Sequence, residues 1–149
     1  MICKIFVPIT GSDESKFSID KAVGIAASLN AKIVAINVLD QDSLAKLQRY
    51  KIFIEEESDV FGESLRRDAE KYLKYAQNVA HSFHVAIETV LLEGEPYTEI
   101  YKFIKNDPSS QKFVMITSTK NSDSFIESFG VLEKKLLRSG LSIMIAGDK

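Results

Sequence analysis

Residues 113–130 read FVMITSTKNSDSFIESFG and contain three kinds of sequence in succession. The apolar residues at 113–116 predict a buried strand, which is followed by a loop rich in hydroxyl side chains. The loop then leads into a helix. In an α/β protein this arrangement is typical of a phosphate site, because the start of a helix offers free N–H groups and the positive end of its dipole. The stretch therefore indicates both a fold class and the place where a ligand would bind.

The rest of the chain alternates between short apolar runs and longer segments with helical spacing. Apolar runs at residues 5–9, 33–39, 85–92 and 141–146 predict four further strands. Such nearly continuous runs suit strands that are buried on both faces, as in a parallel sheet. Because strands and helices alternate, we predict a single α/β domain over residues 1–149, with right-handed crossovers and helices on both faces of the sheet.

Helix boundaries are also indicated. We expect Asn30 to end the first helix, Pro96 to begin the helix before the fourth strand, and Gly140 to end the last helix. A short helix is expected around residues 44–52, and a break or bend is expected near Gly62. The long helix that follows is predicted from an apolar stripe of seven residues: Phe61, Leu65, Ala69, Tyr72, Ala76, Val79 and Phe83.

The composition excludes several classes of partner. A net charge of −2 gives no electrostatic reason to expect nucleic acid or an anionic membrane surface. No apolar run approaches the roughly 18 residues that a membrane span requires. The chain has one cysteine, Cys3, so no internal disulfide forms, and a reducing compartment such as the cytoplasm is expected.

Four segments, in order, resemble the universal stress protein family. They are KIFVPITGS at 4–12, AKIVAINV at 31–38, EGEP at 93–96 and GVLEKKLLR at 130–138. The resemblance covers nearly the whole chain. It implies a Rossmann-like, three-layer fold with a five-stranded parallel sheet in the order 3-2-1-4-5. It also implies a homodimer, often formed through the last strand.

Family members that bind nucleotides carry Gly-x2-Gly-x9-Gly-[Ser/Thr] after the fourth strand. In this chain those positions are Thr117, Lys120, Gly130 and Val131, so only one of the four residue types is kept. The family's aspartate after the first strand is replaced by Thr10. The resemblance thus implies a degenerate nucleotide cleft with eight candidate residues: Pro8, Thr10, Val38, Thr117, Ser118, Lys120, Gly130 and Val131.

Two interpretations of this loop remain open. Lys120 either pairs with a phosphate or is a solvated lysine that crowds the path which a glycine leaves open. The loop hydroxyls either form an ordinary polar turn or act as phosphate ligands or phosphate acceptors. Val131 offers no hydrogen-bond donor and presents a β-branched side chain at the start of the helix.

Other patterns with chemical meaning are weak. His81 and His84 lie three residues apart, a spacing that on a helix can bind a metal, but two exposed histidines are expected. Residues 10–15, TGSDES, resemble the Ser-Gly-Gly-x-Asp-Ser loop of PP-loop ATP pyrophosphatases, although Ser12 replaces the second glycine and Glu14 the aspartate. An adenylating or ATP-hydrolysing enzyme is therefore a third interpretation.

The sequence favours a non-catalytic, homodimeric stress-response module with no catalytic residues, no bound metal and no cofactor. The alternative is a regulatory switch that binds ATP through a variant phosphate loop. Dimerisation is expected through the apolar last strand, at Leu141, Ile143 and Ile145, because an exposed apolar edge tends to be paired or covered.

Overall fold

The computed structural model describes residues 3–9, 13–40, 55–118 and 129–146. Strands and helices alternate along this part of the chain. In order they are β1 (Cys3–Pro8), α1 (Asp13–Leu29), β2 (Lys32–Leu39), α2 (Glu55–Ser82), β3 (Ile87–Glu93), α3 (Pro96–Asn106), β4 (Gln111–Thr117), α4 (Val131–Leu137) and β5 (Ile143–Ala146).

The strands form a five-stranded sheet in the order β3-β2-β1-β4-β5, and every neighbouring pair is parallel. β1 lies at the centre, with Ile5 opposite Ile33 on one side and Phe113 on the other. The predicted fold class and strand order are therefore confirmed. Because β1 and β4 are neighbours while β2 lies on the other side of β1, the strand order switches at β1. The carboxyl ends of β1 and β2 border the cleft described below.

Two apolar clusters cover the two faces of the sheet. One contains α1 and α2 packed on residues such as Ile5, Val7 and Ile33, and the other contains α3 and α4 packed on Phe6, Val34 and their neighbours. Side chains alternate between the two faces of a strand, so consecutive apolar residues supply both clusters. This explains why the strands appear in the sequence as continuous apolar runs.

Most predicted boundaries are confirmed. Asn30 adopts the left-handed conformation after α1, and Gly140 does so after α4. Pro96 begins α3, and the Glu95 side chain caps this helix by accepting a hydrogen bond from the Thr98 backbone N–H. Asp107 is the C-cap of α3, so the helix ends immediately before Pro108.

The long helix differs from its prediction. α2 continues from Glu55 to Ser82 without a break at Gly62. Phe83 was expected on the apolar stripe, but it lies beyond the helix end and is 59% exposed. Leu73 and Ala80 are buried instead, so the buried stripe runs through 69, 73, 76 and 80.

Two strands are shorter than expected. β3 begins at Ile87 instead of residue 85, and β5 begins at Ile143 instead of residue 141. Val85 is buried, and its backbone N–H bonds the Ala80 carbonyl at the end of α2, so it belongs to the turn before β3. The short helix expected around residues 44–52 lies outside the described residues.

Candidate functional site

A cleft of about 420 Å³ opens at the carboxyl ends of β1 and β2. We call it the carboxyl-end cleft. Its floor is the end of both strands, from Pro8 and Ile36 onward, and its walls come from three helices. The side chains that line it are mostly apolar, among them Val38, Ile100 and Leu132. Its size and lining suit a small molecule with an apolar ring.

The floor of the cleft is held by hydrogen bonds between the first two strands. Asn37, which is 7% exposed, donates from Nδ2 to the Ile9 carbonyl at 3.0 Å. The Ile9 backbone N–H donates to the Ile36 carbonyl at 2.7 Å. A buried amide that is bonded in this way fixes the backbone after β1, because an unpaired polar group here would be costly.

Two exposed ion pairs lie on either side of Gly94, just before Pro96 of the cleft lining. Arg66 of α2 pairs with Glu93 at 2.5 Å, and Lys135 of α4 pairs with Glu95 at 3.1 Å. Gly94 has φ +138°, a conformation that requires glycine, and its N–H donates to the Leu39 carbonyl. The turn 93–95 therefore contacts α2 and α4 immediately before α3 begins.

The charged residues lining the carboxyl-end cleft are acidic. Asp40 follows β2, and Asp68 lies on α2 one turn before Tyr72. Among the described residues that line the cleft, none is a lysine or an arginine. A polyphosphate brought into this cleft would therefore meet like charges unless a cation arrived from residues outside the described part of the chain.

The end of β4 does not present a free hydroxyl to this cleft. The Thr117 hydroxyl is hydrogen-bonded to the hydroxyl of Ser18, a residue of α1 that is 3% exposed. The bonded residues are 99 positions apart in the sequence and belong to different elements. Thr117, which the family resemblance aligns with a glycine, therefore joins β4 to α1.

The start of α4 is occupied by a carboxylate. Gly130 has φ −73° and ψ 178°, which any residue can adopt, so its backbone conformation does not require glycine. Glu133 Oε2 lies 2.6 Å from the position that a Cβ at residue 130 would take. A side chain at residue 130 would therefore require only that the flexible end of Glu133, which folds back over Gly130, move away. Val131, the next residue, is 74% exposed and offers no side-chain donor.

The predicted site residues are only partly brought together. Pro8 and Val38 line the carboxyl-end cleft, whereas Thr117, Ser118, Gly130 and Val131 are not among its lining residues. Thr10 and Lys120 lie outside the described residues.

Sequence reasoning missed Asp68, Tyr72 and Leu132, which line the cleft. A signal for the first two existed, because residues four apart on α2 share one face. That Asp68 and Tyr72 lie beside β2 could not be predicted, because it depends on how α2 crosses the sheet.

The two histidines do not lie on one helix. His81 and His84 are exposed, as expected, and His84 lies beyond the end of α2 with φ +57°. The two side chains therefore do not share a helix face. In the described part of the chain, no group of three or more His, Cys, Asp or Glu residues is placed to hold a metal ion.

A parallel sheet in the order 3-2-1-4-5, with a cleft at the carboxyl ends of its strands, defines a Rossmann-like α/β protein. The chain belongs to the universal stress protein family, because the model of that family matches residues 1–109. The match ends before β4, so the loop at 117–131 lies beyond it.

Individual relatives agree with this assignment. A universal stress protein of Methanocaldococcus jannaschii is 28% identical over 142 residues, which cover 95% of this chain and 80% of the relative. A solved structure of a family member from Burkholderia pseudomallei has a TM-score of 0.69 at 17% identity, covering 95% of this chain and 93% of the other. An Arabidopsis thaliana family protein with AMP bound has a TM-score of 0.66 at 14% identity, covering 99% and 92%. The two structures show the shared fold.

Of the helices that the structure describes, none is long and apolar enough to cross a membrane.

Proposed function

We propose that this chain is a non-catalytic stress-response module that does not hold ATP tightly. The observation that carries the proposal is the Glu133 carboxylate, which folds over Gly130 at the start of α4. A phosphate at that helix start would use the backbone N–H groups and the positive dipole end, and the Glu133 carboxylate lies beside the same helix start. Two negative groups cannot share the position without a cation between them.

One further contact and one charged residue of the cleft lining support the proposal. The Thr117 hydroxyl is engaged with Ser18, so it is committed to joining β4 to α1. Asp68 of α2 adds an exposed carboxylate to the lining of the cleft. Both features agree with the replacement of three of the four residue types in the phosphate motif of nucleotide-binding relatives.

One observation favours a second candidate, a nucleotide-binding regulatory switch. The carboxyl-end cleft has apolar walls and a volume of about 420 Å³, which suits a nucleoside, and a family protein of similar fold has AMP bound. In this candidate Lys120 would neutralise the phosphates.

Titration calorimetry with ATP and Mg²⁺ separates the two candidates, together with mass analysis of any nucleotide released on denaturation. We expect no co-purified nucleotide and binding no tighter than millimolar. A micromolar dissociation constant would contradict the proposal. In that case Lys120→Ala should weaken binding by roughly 1.5–3 kcal/mol if its ammonium contacts a phosphate. Release of ADP above background would instead indicate an ATP-hydrolysing enzyme.

A gain-of-function variant tests the physical reason directly. Combining Val131→Ser with Glu133→Gln removes the carboxylate from the start of α4 and supplies a hydroxyl donor. We expect ATP binding to strengthen by about tenfold, since one charge repulsion is lost and one hydrogen bond is gained. Glu70→Gln, which removes an exposed carboxylate of α2, is the matched control. Equal affinities in the two variants would show that Glu133 is not what excludes phosphate.

The assembly proposed for this module is a cytoplasmic homodimer joined through β5. The apolar edge of that strand supports the dimer, and the single cysteine, Cys3, supports a reducing compartment.

A further inference from the structure

A second cleft, of about 320 Å³, lies at the opposite end of the sheet. We call it the amino-end cleft. It is formed by the last turn of α3, the start of β4 and the segment between α4 and β5. All the residues that line it belong to the described part of the chain. Neither lysine of this cleft has a part in the proposed function, although Leu141, which lines it, also belongs to the predicted dimer edge.

The amino-end cleft is basic where the carboxyl-end cleft is acidic. Its charged lining residues are Lys105 and Lys112, and its described lining contains no carboxylate. Lys112 Nζ donates to the carbonyls of Ile104 and Asp107, both at 2.9 Å. An ammonium group has three N–H donors, so Lys112 is held in place by two of them and retains a third.

The second cation is less constrained. Lys105 lies in the last turn of α3 and is exposed, and its ammonium lies 5.6 Å from the centre of the Tyr101 ring. The carboxylate of Asp107, beside the cleft, is paired with Lys4 at 2.7 Å, so it is already neutralised. The charge presented by the cleft is therefore positive.

The cleft also offers groups that suit the rest of a ligand. Phe113 and Leu141 supply apolar surface, and Ser142 supplies an exposed hydroxyl. The Ser142 backbone is fixed, because its carbonyl accepts a hydrogen bond from the Val114 N–H at 2.9 Å. Two cations, a hydroxyl and an apolar floor within one concave site are what an anion with an attached apolar group requires.

We propose that the amino-end cleft binds a small organic anion, in which a carboxylate or phosphate monoester is attached to an apolar group. The anionic head contacts the ammonium groups of Lys105 and Lys112, and the apolar group lies on Phe113 and Leu141. Lysine binds either anion as a point charge, so the lining chemistry admits both.

The test is an NMR titration of the ¹⁵N-labelled protein with four probes: phenyl phosphate, benzoate, inorganic phosphate and benzyl alcohol. We expect phenyl phosphate or benzoate to shift the amides of residues 110–113 and 140–142 at millimolar concentrations, and the stronger of the two identifies the head group. Inorganic phosphate and benzyl alcohol should each bind at least several-fold more weakly. Binding should also weaken as salt is added. Absence of shifts, or shifts confined to the carboxyl-end cleft, would overturn the proposal.

Matched variants locate the anion. Lys105→Ala should weaken binding by about fivefold, the effect of losing one exposed charge partner. Lys102→Ala removes an exposed lysine of the same helix that does not line the cleft, so it should leave binding unchanged. Ser142→Glu should abolish binding by placing a carboxylate in the cleft. Lys112 is left intact because it fastens the end of α3. Equal affinities for Lys105→Ala and Lys102→Ala would overturn the proposal.

Discussion

The carboxylate of Asp107 joins the end of α3 to the first strand. Its Oδ2 accepts a hydrogen bond from the Lys4 ammonium at 2.7 Å, and its Oδ1 accepts one from the Ser109 backbone N–H at 2.8 Å. Burial alone would raise the pKa of Asp107, but these hydrogen bonds and the Lys4 charge lower it from 3.8 to about 2. The ionised form is therefore favoured by folding.

Acid should consequently remove this stabilisation. Because the folded carboxyl has the lower pKa, the unfolded chain binds more protons between about pH 4 and pH 2, and the free energy of unfolding falls as pH falls through that window. The difference in pKa corresponds to about 2 kcal/mol at neutral pH. We expect Asp107→Asn to lose about that much stability at pH 7 and to show a flatter dependence on pH below 4.

Urea unfolding between pH 7 and pH 2 measures this effect. Glu70→Gln is the control, since it removes an exposed carboxylate of α2. If Asp107→Asn and Glu70→Gln gave the same pH profile as the unsubstituted protein, the Lys4–Asp107 pair would have no part in acid stability.

At the level of the elements, the sequence was most informative where local chemistry decides a boundary. Asn30, Pro96 and Gly140 mark helix ends because each has its own backbone preference. Gly62 was misleading, because a single glycine inside a long helix costs only about 1 kcal/mol and tertiary packing overrides it. The burial of Leu73 and Ala80 was not predicted. It depends on how α2 lies against the sheet, which the sequence of α2 alone does not determine.

The N-cap of α3 carries an element-scale prediction. The Thr98 backbone N–H donates to the Glu95 carboxylate at 2.6 Å, and Lys135 of α4 contacts the same group. The hydrogen bond from Thr98 is the largest cause that lowers the pKa of Glu95, and Lys135 adds to it while burial opposes it. We expect Glu95→Ala to destabilise the protein by about 1 kcal/mol through loss of the cap.

Lys135→Ala separates the cap from the ion pair. Because that pair is exposed on both sides, its loss should cost well under about 1 kcal/mol. Thermal and urea unfolding of the two variants should therefore rank Glu95→Ala as the less stable. The reverse order would mean that the contact between α3 and α4, and not the cap, stabilises this turn.

For the whole molecule, the fold could be predicted from the alternation of strands and helices, and the site only in part. A ligand cleft at the carboxyl ends of the strands was expected from the parallel topology of the sheet. The hydrogen bond between Ser18 and Thr117 joins residues of different elements. No local sequence pattern predicts such a contact. The Glu133 carboxylate could have been suspected, since helix starts favour acidic residues, but its position over Gly130 could not.

The two edges of the sheet differ in a way that bears on assembly. β3, at one edge, carries Glu88 and Glu93, and charged side chains of this kind protect an edge strand from pairing. β5, at the other edge, reads IMIA and carries no charge. Within the described residues its backbone pairs only with β4, and Ile145 is 43% exposed. β5 is therefore the edge where a second copy of the chain is expected to pair.

We expect a single charge on that edge to prevent formation of the proposed dimer. Ile145→Glu places a carboxylate where two copies of β5 would meet, and burying it there without a partner costs several kcal/mol. Ile143 is a poorer position, because it packs against the core and a charge there would also unfold the protein. Leu29→Glu is the control, since Leu29 is a 55% exposed apolar residue at the end of α1. Sedimentation velocity should give a monomer for Ile145→Glu and a dimer for Leu29→Glu. A dimer in both would place the interface elsewhere on the surface.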